Sequence, residues 1–304
     1  MTPATAPLQL LAATGAFLSQ EPGAPAAAVG SGPGLFDAVI LGLVEGITEF
    51  LPVSSTGHLI VAQRWLGLPD DPANNLFAIG IQIGAITAIL VLYWRRLLAA
   101  LQTVLRPASA DGPNLLWQIA LGALPAVALG LVADDWIDAH LFSSRVVAAT
   151  MVVGGVLLLW LERVLRGRPA ATAALDGMSY RTALGIGLFQ CLALVPGTSR
   201  SGATIAGALL LGLSRTAAAE FSFLVGLPIL YGAAGYKLLK AGHLLTGERL
   251  PPFLVGTLVA FLSALVVVRP FVQFLRDHTF AAFAWYRIVG GGVLAALCFG
   301  GWLA

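Results

Sequence analysis

The stretch "VEGITEFLPVSSTGHLIV", Val44 to Val61, decides how the rest of the chain is read. It gathers Glu45, Glu49, Ser54, Ser55, Thr56 and His58 between apolar flanks. The whole chain of 304 residues is 58% hydrophobic and only 11% charged. A soluble domain carries about 25% charged residues, and a soluble fold of this composition would need a core too large for its surface. An integral membrane protein with several helical spans is therefore expected. Inside a bilayer an ionisable side chain costs at least about 2.5–3.5 kcal/mol on insertion scales. Polarity concentrated in one such place marks function. The net charge of +2 gives no footprint for nucleic acid.

Six stretches are apolar enough to cross a bilayer once their ends are extended: 76–93, 115–133, 146–161, 217–236, 253–268 and 286–303. Regions 35–68 and 181–213 differ, because a polar loop containing Gly and Pro breaks each in the middle. The second arm of the first, Gly57 to Leu68, has twelve residues, about 18 Å of helix against a core about 30 Å thick. Both regions read as re-entrant hairpins, tolerable at that depth only under protein or beside a wet cavity. Residues 1–34, rich in Ala, Pro and Gly and without Lys or Arg, read as a loosely ordered extension lacking a signal peptide's basic flank. Residues 35–304 form one membrane domain.

Orientation follows the basic residues. Arg95, Arg96 and Arg106 follow the first span, and Arg163, Arg166, Arg168 and Arg181 follow the third, which makes both loops cytoplasmic. The segment "ADDWIDAHLFSS", read as the loop between the second and third spans, has three aspartates and no Lys or Arg, as an external loop should. Hairpin one then enters from outside and hairpin two from the cytoplasm. Arg269, Arg276 and Arg287 fall inside with the rule; Lys237 and Lys240 fall outside against it.

A shift of 145 residues aligns the hairpins: "GLVEGITEFLPVSSTGHLI" meets "GLFQCLALVPGTSRSGATI". Eight of the 28 positions between 41–68 and 186–213 are identical, among them Gly42/Gly187, Ser54/Ser199 and Gly57/Gly202. Each hairpin is followed by three spans. The expected fold is all-α, with six transmembrane helices plus two re-entrant helical hairpins, ten helices in an inverted-topology repeat. Repeat one covers about 35–161 and repeat two about 181–304. Such a repeat puts a shared site where the broken helices meet.

At that site Glu45 and Glu49, four residues apart, share a helix face. Thr198, Ser199, Arg200 and Ser201 come from the other tip, "PGTSRSG". The set suits phosphate. An arginine offers a planar fork to phosphate oxygens, and helix N-termini offer N–H groups. Two carboxylates can hold Mg²⁺ or Ca²⁺ against a diphosphate. Ser55 or Thr56 is a candidate nucleophile and His58 a proton shuttle. Ser54, Thr56, Thr198, Ser199 and Ser201 are candidate phosphate contacts. The plainer alternatives are an Arg200–glutamate ion pair tying the tips together, and serines that only cap freed backbone groups. Cys191 and Cys298 lie in apolar runs and read as small core residues.

"EGITEFLPVSSTGH" and "PGTSRSGAT" closely resemble the two signature stretches of the undecaprenyl-diphosphate phosphatase, or bacitracin-resistance, family, over residues 35–304. The resemblance implies a multi-pass enzyme of the bacterial inner membrane. Its substrate would be a polyprenyl diphosphate lipid, cut to the monophosphate carrier of cell-wall synthesis, with a divalent cation, Mg²⁺ or Ca²⁺, as cofactor. The family's glutamates fall on Glu45 and Glu49, its serine pair on Ser54 and Ser55, its histidine on His58 and its arginine on Arg200. Whether Ser55 or His58 is the nucleophile stays open, and a homodimer is compatible with the resemblance. The charge count places the site toward the periplasm. A flippase for a prenyl-phosphate lipid is the rival reading, since inverted repeats and broken helices are also transporter features.

Overall fold

The broken apolar regions become two short helical hairpins. A computed structural model describes residues 32–105, 112–141, 143–245 and 247–302. Nearly all of the extension expected over 1–34 lies outside those residues, as does Arg106. The first hairpin is α1 (Leu35–Thr48) and α2 (Ser55–Trp65). Three spans follow: α3 (Pro72–Gly80) with α4 (Gln82–Leu105), then α5 (Leu115–His140), then α6 (Ser144–Val164). The second hairpin is α7 (Tyr180–Gln190), a 3-10 turn at Cys191–Leu194, and α8 (Arg200–Leu210). Spans α9 (Arg215–Ala241), α10 (Leu250–Asp277) and α11 (Ala281–Phe299) complete the chain. α3 and α4 form one span, Pro72–Leu105, interrupted at Ile81, so the described residues hold ten helical units, six of them able to cross a membrane. The hairpin arms have 14, 11, 11 and 11 residues, about 16–21 Å each, short of a ~30 Å core.

Packing follows the 145-residue offset. α1 packs on α10, and its image α7 packs on α5; α4 packs on both α10 and α9, and α9 on α5; α6 packs on α11. Every one of these pairs maps onto another, or onto itself, when the two halves are exchanged. The shared glycines explain why the match is tight. A Cβ at Gly42 would lie 2.5 Å from the Gly256 carbonyl oxygen, and one at Gly187 would lie 2.5 Å from that of Gly122. Each first arm thus needs glycine where it crosses its partner span.

Three expectations are corrected. The segment "ADDWIDAHLFSS" is not a loop from its start: α5 continues to His140, because nothing in 134–139 breaks a helix. The last span runs Ala281–Phe299 rather than 286–303. Arg287 is consequently not at the cytoplasmic edge of the last span but inside it, 1% exposed. Arg96 pairs with Asp176 at 2.6 Å and Glu220 at 3.3 Å, and Arg215 with Glu162 at 2.7 Å. These pairs join α4, the start of α9, the end of α6 and the segment before α7.

Candidate active site

Both hairpins turn on the same device. Ser54 and Ser199 have φ of 71° and 70°, and they are the only non-glycine residues with positive φ among those described. An L-residue pays about 1–2 kcal/mol to sit there. Each serine caps the helix it precedes, Ser54 accepting from the Gly57 N–H and Ser199 from the Gly202 N–H. The capping serines and the first residues of α2 and α8, Ser55 and Arg200, line one cavity. Phe50, fully buried, anchors the first tip edge-on against Phe223 of α9, centroids 5.3 Å apart.

The tips meet directly. Ser55 Oγ donates to Glu49 Oε2 at 2.6 Å. Arg200 donates through Nη2 and Nε to Glu49 Oε1, at 3.2 and 3.4 Å. Its Nη1 is tethered to the Ser222 carbonyl at 2.6 Å. The ion pair weighed from sequence thus exists, with Glu49 as the partner. Ser201 Oγ donates to the Leu51 carbonyl at 2.9 Å, a second bridge between tips. A cavity of about 180 Å³ opens here, and Glu49, Ser54, Ser55, Thr56, Ser199 and Arg200 line it. Apolar residues of α5 and α9, Ala126, Ile229 and Leu230, form part of the wall.

Four residues singled out from sequence do not line this cavity. Thr198 faces a separate apolar pocket against α6. Ser201 sits beneath the tip, fully buried. His58 points away, its Nδ1 on the Ser54 carbonyl at 2.8 Å and its Nε2 on the Tyr286 hydroxyl at 2.7 Å. A carbonyl only accepts, so Nδ1 carries the proton, and in the neutral ring Nε2 accepts from Tyr286. Glu45 is fully buried, and neither carboxylate oxygen has a hydrogen-bond partner among the described residues. Glu49 and Arg200 are its charged neighbours.

The Glu45 carboxylate bears on the cofactor. A buried carboxylate without a partner is costly, and a divalent cation would compensate it. No group of three or more His, Cys, Asp or Glu able to hold a metal occurs among the described residues. A cation here would draw its remaining ligands from phosphate oxygens and water, as Mg²⁺ does with one or two carboxylates. The residues fit that kind of site.

Sequence reasoning passed over three polar residues, and one of them, Gln82 at the start of α4, lines the cavity. Gln190 lines the cavity with an Oε1 that has no partner, its Nε2 being held by the Gly122 carbonyl. The 145-residue offset maps it onto Glu45, which was the available signal. Arg287 reaches both tips from α11, and no local sequence signal marks it.

The family model of the bacitracin resistance protein BacA matches residues 38–293. The chain belongs to the BacA family. Among its curated relatives, the undecaprenyl-diphosphatase of Verminephrobacter eiseniae (strain EF01-2) is 47% identical over 271 residues, 88% of this chain and 97% of the relative. The undecaprenyl-diphosphatase of Methylococcus capsulatus is 47% identical over 262 residues, covering 86% and 94%. The BacA match begins within α1, takes in the rest of both hairpins and five of the six spans whole, and ends within α11. With six helices long and apolar enough to cross a membrane among its described residues, the chain is a multi-pass membrane protein.

Proposed function

We propose that this protein is an undecaprenyl-diphosphatase that releases the terminal phosphate of undecaprenyl diphosphate and returns undecaprenyl phosphate. The observation that carries the mechanism is the chain Ser55–Glu49–Arg200, continuous across the two tips at the cavity. Ser55 Oγ is the nucleophile on the terminal phosphorus, and Glu49 takes its proton. The leaving group is the prenyl monophosphate. That proton passes from Glu49 to the departing monophosphate, so Glu49 is again a base when water hydrolyses the phosphoserine and releases phosphate. Before substrate binds, Arg200 neutralises Glu49. A phosphate that takes the Nε/Nη2 edge of Arg200 removes that counter-charge, and Glu49 becomes a stronger base when the nucleophile is needed. Ser54, Ser199, Thr56 and the N-terminus of α8 supply donors around the phosphate. The apolar wall on α5 and α9 suits the prenyl chain.

Glu45 and Glu49 would hold a divalent cation, Mg²⁺ or Ca²⁺, which would neutralise diphosphate charge when bound. The hairpins are re-entrant arms of an inverted repeat: three spans separate them, so they enter from opposite faces. Under the basic-residue count the first opens to the periplasm.

The test is phosphate release from undecaprenyl diphosphate by the purified protein in detergent, where a pure lipid transporter releases none. Full chelation is expected to stop turnover, and added Mg²⁺ or Ca²⁺ to restore it. Undiminished turnover in chelator removes the cation and leaves the two carboxylates as acid, base or partners of Arg200.

A further inference from the structure

Arg287 is 1% exposed, and its five N–H groups meet five backbone carbonyls. Nε donates to Met151 at 3.3 Å. Nη1 donates to Pro52 at 3.4 Å and Thr198 at 2.8 Å. Nη2 donates to Thr150 at 3.1 Å and Gly197 at 3.2 Å. A guanidinium has five N–H donors, so this one is saturated. Pro52 belongs to the first tip, Gly197 and Thr198 to the second, and Thr150 and Met151 to α6. Arg96, Arg200 and Arg215 each pair with a carboxylate; Arg287 pairs with none among the described residues.

We propose that Arg287 is a positioning residue that keeps the two tips in register while substrate is bound. The need for it arises from the mechanism proposed above, on which this role rests. Of the two direct bridges between the tips, the Arg200–Glu49 pair is the one that phosphate displaces. Ser201 to Leu51 is then a single neutral hydrogen bond. Arg287 ties Pro52 to Gly197 and Thr198 through backbone atoms alone, so substrate does not compete for it. The nucleophile and its base stand on one tip and the phosphate clamp on the other. A shift of about 1 Å between them costs on the order of 100-fold in rate. Lysine cannot replace the tie, because three donors on a flexible stem cannot span five fixed carbonyls.

The experiment compares wild type, Arg287→Lys and Gly154→Ala in detergent. The second variant keeps the arginine but crowds it, since a Cβ at Gly154 would lie 2.7 Å from Cζ and closer still to Nη2. Ile47 and Leu192 are exposed at 40% and 53% and are images of each other in the repeat. Spin labels at Ile47→Cys and Leu192→Cys, in a background with Cys191→Ala and Cys298→Ala, report the tip-to-tip distance without substrate. The expected result is a broadened distance distribution in both variants. Per folded molecule, kcat should fall about 10–100-fold for Arg287→Lys, with KM within about threefold of wild type. Unchanged distances with wild-type kcat in the folded fraction, or a loss confined to KM, overturns the proposal. If the phosphatase reading itself fails, wild type releases no phosphate, while the distance comparison still decides the tie.

Discussion

A lysine at position 200 would keep the charge and lose the fork. Arg200 uses one edge on Glu49 and its remaining Nη1 on the Ser222 carbonyl; an ammonium cannot hold that tether and offer two parallel donors to phosphate. Arg200→Lys is expected to lower kcat about 100-fold or more, measured as phosphate release by folded protein. Near-wild-type turnover would remove the clamp role. The nucleophile is separable in the same assay. Ser55→Ala should lose at least about 10³-fold, as deletion of a nucleophile does. His58→Gln should lose less, because a glutamine amide can still donate to the Ser54 carbonyl that Nδ1 now reaches. If the histidine variant is the dead one and the alanine variant turns over, the assignment reverses.

At the scale of an element, the hairpins depend on serine at a backbone angle that glycine tolerates better. Ser54→Gly removes a weak cap but relieves φ of 71°, so little net change in stability is expected. Ser54→Ala keeps the strain and loses the cap, costing about 1 kcal/mol. The same ordering should hold at Ser199, whose φ is 70°. Thermal unfolding of the four variants checks both, and unlike responses at the two sites would argue against equivalent tips. The first arms offer a harsher test. Gly42→Leu should yield no folded protein, since even a Cβ there lies 2.5 Å from backbone of α10.

For the whole molecule the open matter is which way it sits. Asp70 follows the first hairpin and Pro169 follows α6; both are exposed. Single cysteines there, without Cys191 and Cys298, are expected to give labelling at 70 and protection at 169 when intact cells meet an impermeant thiol reagent. The reverse pattern turns the protein over and puts the chemistry on the cytoplasmic side. The ion pairs Arg96–Asp176, Arg96–Glu220 and Arg215–Glu162 join α4, the start of α9, the end of α6 and the segment before α7, so a consistent answer from one loop extends to the others.

Hydropathy and spacing alone determined that six apolar stretches are separated by two broken regions related by a 145-residue offset, and they picked out Glu49, Ser54, Ser55, Thr56, Ser199 and Arg200 in the cavity wall. These properties are local: an apolar run, a polar break and a matching register are visible wherever they occur in the chain. Glu49, Ser55 and Arg200 were legible for that reason, each standing out from its apolar neighbours. Only the tertiary structure decided where those side chains point. It turned His58 toward Tyr286 and away from the cavity, put Gln190 into the wall, and left Glu45 buried beside it. It also moved Arg287 from the cytoplasmic edge of a span, where the charge count had placed it, into the buried interior. A count of basic residues treats an arginine near a span end as wet, because burying it alone is prohibitive. Here five carbonyls from segments 89 to 235 positions away make that burial tolerable, and no window along the sequence contains them.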